Sequence, residues 1–369
     1  MNRHPLLLGL FLVGLTPGLG AAPADPFRLA IVGLDHGHVD GFLADALARR
    51  DVQVVAVVEP KPALAAQYAE RFHLAPALMF TNLEAMLAAA KPEGVAVFTS
   101  TFEHKEVVET CARHGVHVMM EKPLAVSMEH ARAMQQAARL HSIHVVVNYE
   151  TTWYPSHQLA YALAHEQGAI GDLRKIVVRS GHQGPKEIGC PASFLVWLTD
   201  PKLNGGGALM DFGCYGADLI TWLLQGQRPN RVTAVTRQFK PEVYPQVDDD
   251  ATIIVSYPHA EGIIQASWNW PIGRKDMDIY GVSGEILIAD RSTLQLRMPG
   301  GETRALPPAP LAANCREPIG YFRALVRGEV PEHPLSSLET NLIVTEILDA
   351  ARESARLHQS VELPETPPG

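Results

Sequence analysis

The chain has 369 residues, 47% apolar and 19% charged, enough to bury one or two cores and too apolar for a disordered protein. Its 31 Lys and Arg stand against 40 Asp and Glu, a net charge of −9. That balance excludes nucleic acid as the main partner, because phosphate-backbone binding relies on clustered cations.

The first element is an apolar run from Leu6 to Leu15, too short to span a bilayer, which takes about 20 residues. Arg3 precedes it and Ala22-Pro23-Ala24 follows, the layout of a secretory signal peptide over residues 1–24. No arginine pair precedes the run, so the expectation is export as an unfolded chain to a periplasmic or secreted location, with no membrane association after the segment is removed. Any cofactor would then be acquired outside the cytoplasm. Cys111, Cys190, Cys214 and Cys315 are widely spaced without a CxxC pair, which points to buried free thiols more than to a disulfide framework.

From Arg28 onward, short β-branched runs alternate with helix-period stretches. Strands are expected at Leu29–Val32, Val52–Val58, Val95–Phe98, His117–Met120 and Val145–Val147, and helices at His38–Arg49, Pro62–Phe72, Leu83–Ala89, Glu103–His114 and Met128–Leu140. Continuous apolar strands such as Val54–Val58 fit a parallel sheet covered on both faces, so residues 25–149 read as a Rossmann dinucleotide-binding domain. Residues 150–369 read as a second α/β domain. A helix near Ser156–Glu166 leads into a strand at Leu173–Arg179, and the Gly205–Gly207 loop opens a helix over Asp211–Leu224. Strand-like segments between Val232 and Met298 then suggest an open, mainly antiparallel sheet, before helices near Pro318–Val326 and Leu335–Leu357.

Gly33 ends the first strand where such a fold turns to aim a helix N-terminus at a pyrophosphate. The GxGxxG fingerprint is altered: Asp35 stands at the second glycine position and His38 at the third. Asp35 brings like charge to a pyrophosphate unless Gly37 takes over or Asp35 caps the next helix. Asp35, His36 and His38 also raise the alternative of a metal site. Glu59, closing the second strand, is placed to accept ribose hydroxyls and repel a 2′-phosphate, which favours NAD over NADP.

Glu121-Lys122-Pro123 after the fifth strand, Gly115–Val118 before it, Gly168–Leu173 and Gly205–Leu219 occur in order along the chain. In that order they resemble the glucose-fructose oxidoreductase, inositol dehydrogenase and rhizopine catabolism family, Gfo/Idh/MocA. The resemblance implies a nicotinamide cofactor, a small-molecule carbohydrate substrate in a cleft between the domains, and a homo-dimer or homo-tetramer. It implies a catalytic Lys122, with Asp211 and Tyr215 one helical turn apart beside it, and places Gly33, Asp35, His36, Gly37, His38, Glu59, His104, Glu121 and Lys122 near the cofactor. Tyr215 stands where the family usually has histidine.

Hydride leaves a carbinol carbon only as its hydroxyl proton is removed, so a base is required. A tyrosine suits this when an adjacent ammonium stabilises its phenolate, a role expected of Lys122 toward Tyr215. Asn148, Tyr149, Trp153 and Tyr154 at the domain junction, His182, Trp268 and Trp270 are expected to line the substrate cleft. The leading reading is an exported oxidoreductase acting on a sugar or cyclic polyol with tightly bound NAD, in a coupled or redox-neutral cycle. The alternatives are a cofactor-free carbohydrate-binding or scaffold protein and a metal-using sugar lyase or isomerase.

Overall fold

The structure, a computed structural model, describes residues 25–364, so the segment expected to be a signal peptide lies outside it. Strands β1 (Phe27–Val32), β2 (Val52–Val58), β3 (Met79–Phe80), β4 (Gly94–Val97), β5 (His117–Glu121) and β6 (Val145–Asn148) form the first sheet. They alternate with α1 (Val39–Ala48), α2 (Pro62–Arg71), α3 (Leu83–Ala90), α4 (His104–Arg113) and α5 (Met128–His141). All five pairings are parallel, in the order β3-β2-β1-β4-β5-β6. Helices start where local chemistry favours them: Pro62 opens α2 with its preset φ, and the Asn82 and Ser127 side chains accept the Ala85 and His130 amides at the starts of α3 and α5. The strand order reverses between β1 and β4, which opens a crevice at the carboxyl ends of the strands.

The second domain holds α6 (Pro155–Tyr161), β7 (Leu173–Gly181), α7 (Ala192–Leu198), α8 (Ala208–Asp211), α9 (Gly213–Leu223) and β8 (Arg231–Arg237). There follow β9 (Asp250–Ser256), β10 (Glu261–Ser267), β11 (Arg274–Gly281), β12 (Glu285–Asp290), β13 (Thr293–Arg297) and β14 (Thr303–Ala305). The chain ends with α10 (Pro318–Val326), α11 (Leu338–Leu357) and β15 (Val361–Glu362). The sheet runs β14-β13-β12-β11-β7-β10-β9-β8-β15, antiparallel throughout except for the β7–β10 pair. The expectation of a Rossmann domain followed by a mainly antiparallel α/β domain holds. α9 lies on this sheet so closely that a Cβ on Gly216 would fall 2.5 Å from Ile264.

Two details differ from the sequence expectation. The helix expected over Asp211–Leu224 begins earlier and breaks at Phe212, because the Asp248 carboxylate accepts the Gly207 and Leu209 amides at 2.9 and 2.7 Å and starts the short α8. α7 and the small strands β3, β14 and β15 were not expected. The four cysteines are free thiols, in line with the sequence reading, with Cys111 and Cys214 buried and Cys190 and Cys315 half-buried.

The last helices return to the first domain. Phe322 of α10 packs edge-on against Phe27 at 5.7 Å, in space left by the missing side chain of Gly94. α11 packs on α5 and β6 on one side and on α9 and β8 on the other. Asn341 accepts the Tyr149 hydroxyl at 2.9 Å, Asp349 accepts the Met128 amide at 2.7 Å, and Arg352 donates to the Val126 and Gly205 carbonyls at 2.8 Å.

Asp218 on α9 is fully buried, and neither carboxylate oxygen has a protein partner. Burial pushes its carboxyl well above the ordinary value. The folded state therefore keeps the proton where the unfolded chain releases it, so native stability is lost as pH rises above about 4. Asp218→Asn removes that ionisation. Its urea midpoint should climb relative to the parent between about pH 4 and about pH 8, and a difference that does not vary with pH would refute this account.

Candidate active site

A cavity of about 760 Å³ opens where the carboxyl ends of the first sheet face α8, α9 and the second sheet. Its lining includes the polar side chains of Lys122, Glu150, His182, Asp211, Tyr215 and Lys275 and the apolar ones of Ile188, Phe194, Leu198 and Ile272. Lys122 follows β5 directly and forms a buried ion pair with Asp211 at the end of α8. Its Nζ also donates to the Asp211 main-chain carbonyl at 3.1 Å, and the Trp268 indole N–H donates to the other carboxylate oxygen at 2.9 Å. Burial opposes both charges, but each partner holds the other: the Lys122 amine sits above its ordinary value and the Asp211 carboxyl below. The pair is charged.

Tyr215 is buried, and burial pushes its phenol well above the ordinary value, with Lys275 the main opposing influence. This corrects the role expected of Lys122. The Lys122 ammonium lies 5.2 Å from the centre of the Tyr215 ring, whereas Lys275 Nζ lies 3.4 Å from the hydroxyl. Lys275 is ion-paired with Glu150, which also accepts the Tyr154 hydroxyl at 2.5 Å. Sequence reasoning missed Lys275 and Glu150. Neither belongs to a motif, and the only signal was a lysine entering an otherwise half-buried strand.

At the dinucleotide loop, Gly33 has φ +83°, and a Cβ there would lie 2.6 Å from the Thr99 side chain and 2.8 Å from its amide nitrogen, so only glycine fits this turn. Gly37 is not a replacement turn glycine: a Cβ would meet the Phe194 ring at an ordinary 3.6 Å. Nor does Asp35 cap α1, whose first turn has no side-chain cap. Asp35 pairs instead with Lys61 at 2.6 Å, which neutralises the carboxylate expected to repel a pyrophosphate. Glu59 is buried beside the loop and accepts the Leu34 and Lys61 amides, each at 2.9 Å, leaving further lone pairs for a ribose hydroxyl. The residues present thus fit a dinucleotide, with Gly33 making the turn and Glu59 and the neutralised Asp35 beside it. α7 covers this loop, its Phe194 ring 4.7 Å from that of His36.

Other expected site residues are brought elsewhere. His104 is buried and bonded through Nδ1 to the Leu124 carbonyl at 3.1 Å, bracing the segment after Lys122. Tyr149 is a core residue bonded to Asn341, and Trp268 supports Asp211, so neither is a platform for sugar. Trp270 stacks under Arg274 at 5.4 Å. Asn148 and Trp153 line a smaller, adjoining cleft with Glu121 and Phe42, which shares His38 and Glu150 with the main cavity. Tyr154 and His182 do line the main cavity. Asp35, His36 and His38 do not assemble as a ligand set, because Asp35 turns to Lys61; among the described residues, His36 and His38 gather with Glu121 instead.

Two family models match the chain: "Oxidoreductase family, NAD-binding Rossmann fold" over residues 27–149 and "GFO/IDH/MocA C-terminal domain" over residues 160–287. Trans-1,2-dihydrobenzene-1,2-diol dehydrogenase of Bos taurus is 28% identical over 322 residues, covering 84% of this chain and 90% of the relative, and the Homo sapiens enzyme of that name is 26% identical over 326 residues, with the same shares covered. Among solved structures, aldose-aldose oxidoreductase from Caulobacter crescentus, complexed with glycerol, superposes with TM-score 0.77 at 22% identity, covering 92% of this chain and 100% of that one. An inositol dehydrogenase homolog from Azotobacter vinelandii, complexed with NAD+, gives TM-score 0.78 at 19% identity, covering 92% and 98%. Both show the shared fold.

Removing one partner of the Lys122–Asp211 pair leaves an uncompensated buried charge. Asp211→Asn should therefore lose about 3–5 kcal/mol of unfolding free energy, and Lys122→Met combined with Asp211→Leu should recover most of it. Urea titration of the three proteins checks this, and a single variant as stable as the parent would show that the pair does not hold the domains.

Proposed function

Because this chain belongs to the Gfo/Idh/MocA oxidoreductase family, with an NAD-binding Rossmann domain at its N-terminus, we propose that it transfers hydride at a hydroxyl-bearing carbon of a sugar, cyclic polyol or related carbohydrate. The observation that carries the reading is one cavity holding the Lys122–Asp211 pair beside the Tyr215–Lys275 pair, directly above the dinucleotide loop. A bound nicotinamide supplies the hydride acceptor or donor. Gly33, the loop around Asp35 and Lys61, and Glu59 would hold it. Lys122 donates hydrogen bonds to a substrate oxygen. Tyr215, protonated by virtue of its burial, gives its proton to a developing alkoxide, and Lys275 stabilises the phenolate left behind. The reverse sequence serves oxidation.

The apolar segment Leu6–Leu15 supports export, and scarcity of free nicotinamide outside the cytoplasm then supports a cofactor that stays bound and is reset within each cycle. Two cycles satisfy that constraint: coupled oxidation and reduction of two sugars, or a redox-neutral reaction in which oxidation acidifies a neighbouring carbon. The open face of the nine-stranded sheet, with Val177, Ile254 and Ile263 half-buried along it, supports association into a dimer or tetramer. The relatives' names, a diol dehydrogenase and an aldose-aldose oxidoreductase, agree with a hydroxylated substrate.

Denaturing the purified mature protein should release nicotinamide detectable by absorbance and mass, and neither release nor binding of added NAD+ at millimolar concentration would reject the reading. Lys122→Ala should lower turnover of a reactive sugar or polyol by about a thousandfold or more while the protein stays folded by circular dichroism. Near-parental turnover would reject the role of Lys122.

A further inference from the structure

His38, the residue at the third glycine position, is not used by the hydride chemistry above. It precedes α1, and its half-exposed ring lines the cavity shared with Lys122 and Tyr215. Nδ1 lies 3.1 Å from Glu121 Oε2. Glu121 is itself fixed: its other oxygen accepts the Asn148 amide N–H at 3.0 Å, and Asn148 Oδ1 accepts the Trp153 indole N–H at 3.0 Å. Burial opposes the Glu121 charge, but the hydrogen bond with His38 and the nearby Lys122 ammonium hold its carboxyl below the ordinary value. An ionised carboxylate only accepts, so His38 carries its proton on Nδ1 and leaves the Nε2 lone pair free.

The neighbouring histidine is built differently. His36 is buried against Phe194 and Trp197, and its Nδ1 accepts the His38 amide at 3.1 Å, so its own proton sits on Nε2. Burial keeps it neutral. The ligand atoms of His36, His38 and Glu121 lie within 4.8 Å of one another, yet His36 has no free lone pair to offer a cation in this arrangement.

We propose that His38, oriented by Glu121, is a second acid/base group of the cavity, which removes the proton from the carbon next to the oxidised one. The inference rests on the oxidoreductase reading and selects its redox-neutral form. Oxidation of a hydroxyl carbon to a carbonyl, for which a bound nicotinamide would be the hydride acceptor, makes the adjacent C–H acidic. That bond breaks, its electron pair moves to form the enolate, whose oxygen faces the Lys122 and Tyr215 donors, and the proton forms the N–H bond on His38 Nε2. His38 Nε2–H then returns the proton to the carbon, or gives it to a leaving group that departs with its bonding pair from the next carbon, and the carbonyl is finally reduced again. The charged groups facing His38 are Glu121 on β5, Lys122 after it, Glu150, Asp45 on α1 and Glu317 at the start of α10, with His36 neutral.

The test uses the full holoprotein in D2O with D-glucose, methyl β-D-glucoside and myo-inositol as probes, following nicotinamide absorbance for hydride transfer and mass for deuterium in the recovered sugar. The parent should incorporate deuterium at a carbon adjacent to the oxidised one. In His38→Gln the ratio of exchange to hydride transfer should fall about 100-fold, and in Glu121→Gln about tenfold. Hydride transfer without exchange in the parent, or an unchanged ratio in His38→Gln, overturns the proposal. Stoichiometric zinc lost with His38→Gln would overturn it in favour of a cation site. A protein that transfers no hydride at all fails the oxidoreductase reading instead. In that case nitrogen-15 spectra of the histidines still decide the dyad: it requires the Nδ1–H form at His38, converting in Glu121→Gln, and an Nε2–H form overturns it.

Discussion

Two opposite charges removed from water at the boundary of two domains set the terms for everything around them. Neither Lys122 nor Asp211 is tolerable alone at such depth, because the desolvation cost of each is offset only by the other and by well-aimed hydrogen bonds. The two come from different sheets' neighbourhoods, one just past a parallel strand and one at the end of a short helix. The pair therefore forms only when both domains have folded and met in one relative position. Trp268 and Cys214 answer that demand, the indole and the thiol donating to Asp211 oxygens.

The same solution recurs on a smaller scale. Lys275 is matched by Glu150 and Lys61 by Asp35, and each pair joins segments distant in sequence. With their charges balanced locally, the polar groups around the cavity present hydrogen-bond donors and acceptors without a strong net field. Such lining suits an uncharged ligand rich in hydroxyls better than a phosphorylated or carboxylated one. Ile188, Phe194, Leu198 and Ile272 add apolar surface to the same lining.

The first sheet was legible in the sequence because its β-branched runs are continuous and its helices carry ordinary start signals, so Val52–Val58 agrees to the residue and α2, α3 and α5 begin at the expected Pro62, Leu83 and Met128. Interactions between distant residues were not legible. Asp248 moves the start of the helix after the glycine loop, and nothing near Gly207 announces it. α7, seven residues behind Pro191, is too short for its period to separate from a loop. At the site, Gly33 was readable from the turn it has to make, and Lys122 and Asp211 through the family resemblance that their motifs carry. Lys275 was not, since its importance depends on where the Tyr215 hydroxyl lies. Tyr149 and Trp268 failed in the opposite sense: aromatic character suggested sugar platforms, but Asn341 and Asp211 give their polar atoms partners inside the core.

α11 carries a mechanical consequence. Domains that close around a ligand do so by bending at a few connecting residues while the rest of each body moves freely. Here a helix of 20 residues is wedged against α5 and β6 of one domain and α9 and β8 of the other, with Asn341, Asp349 and Arg352 bonded across the seam. Swinging the domains apart would shear a close-packed interface along its whole length. The cleft is thus clasped at a fixed width, and traffic in and out of it is left to the segments at its rim, around Ile188 and Ile272, where bulky apolar side chains stand exposed.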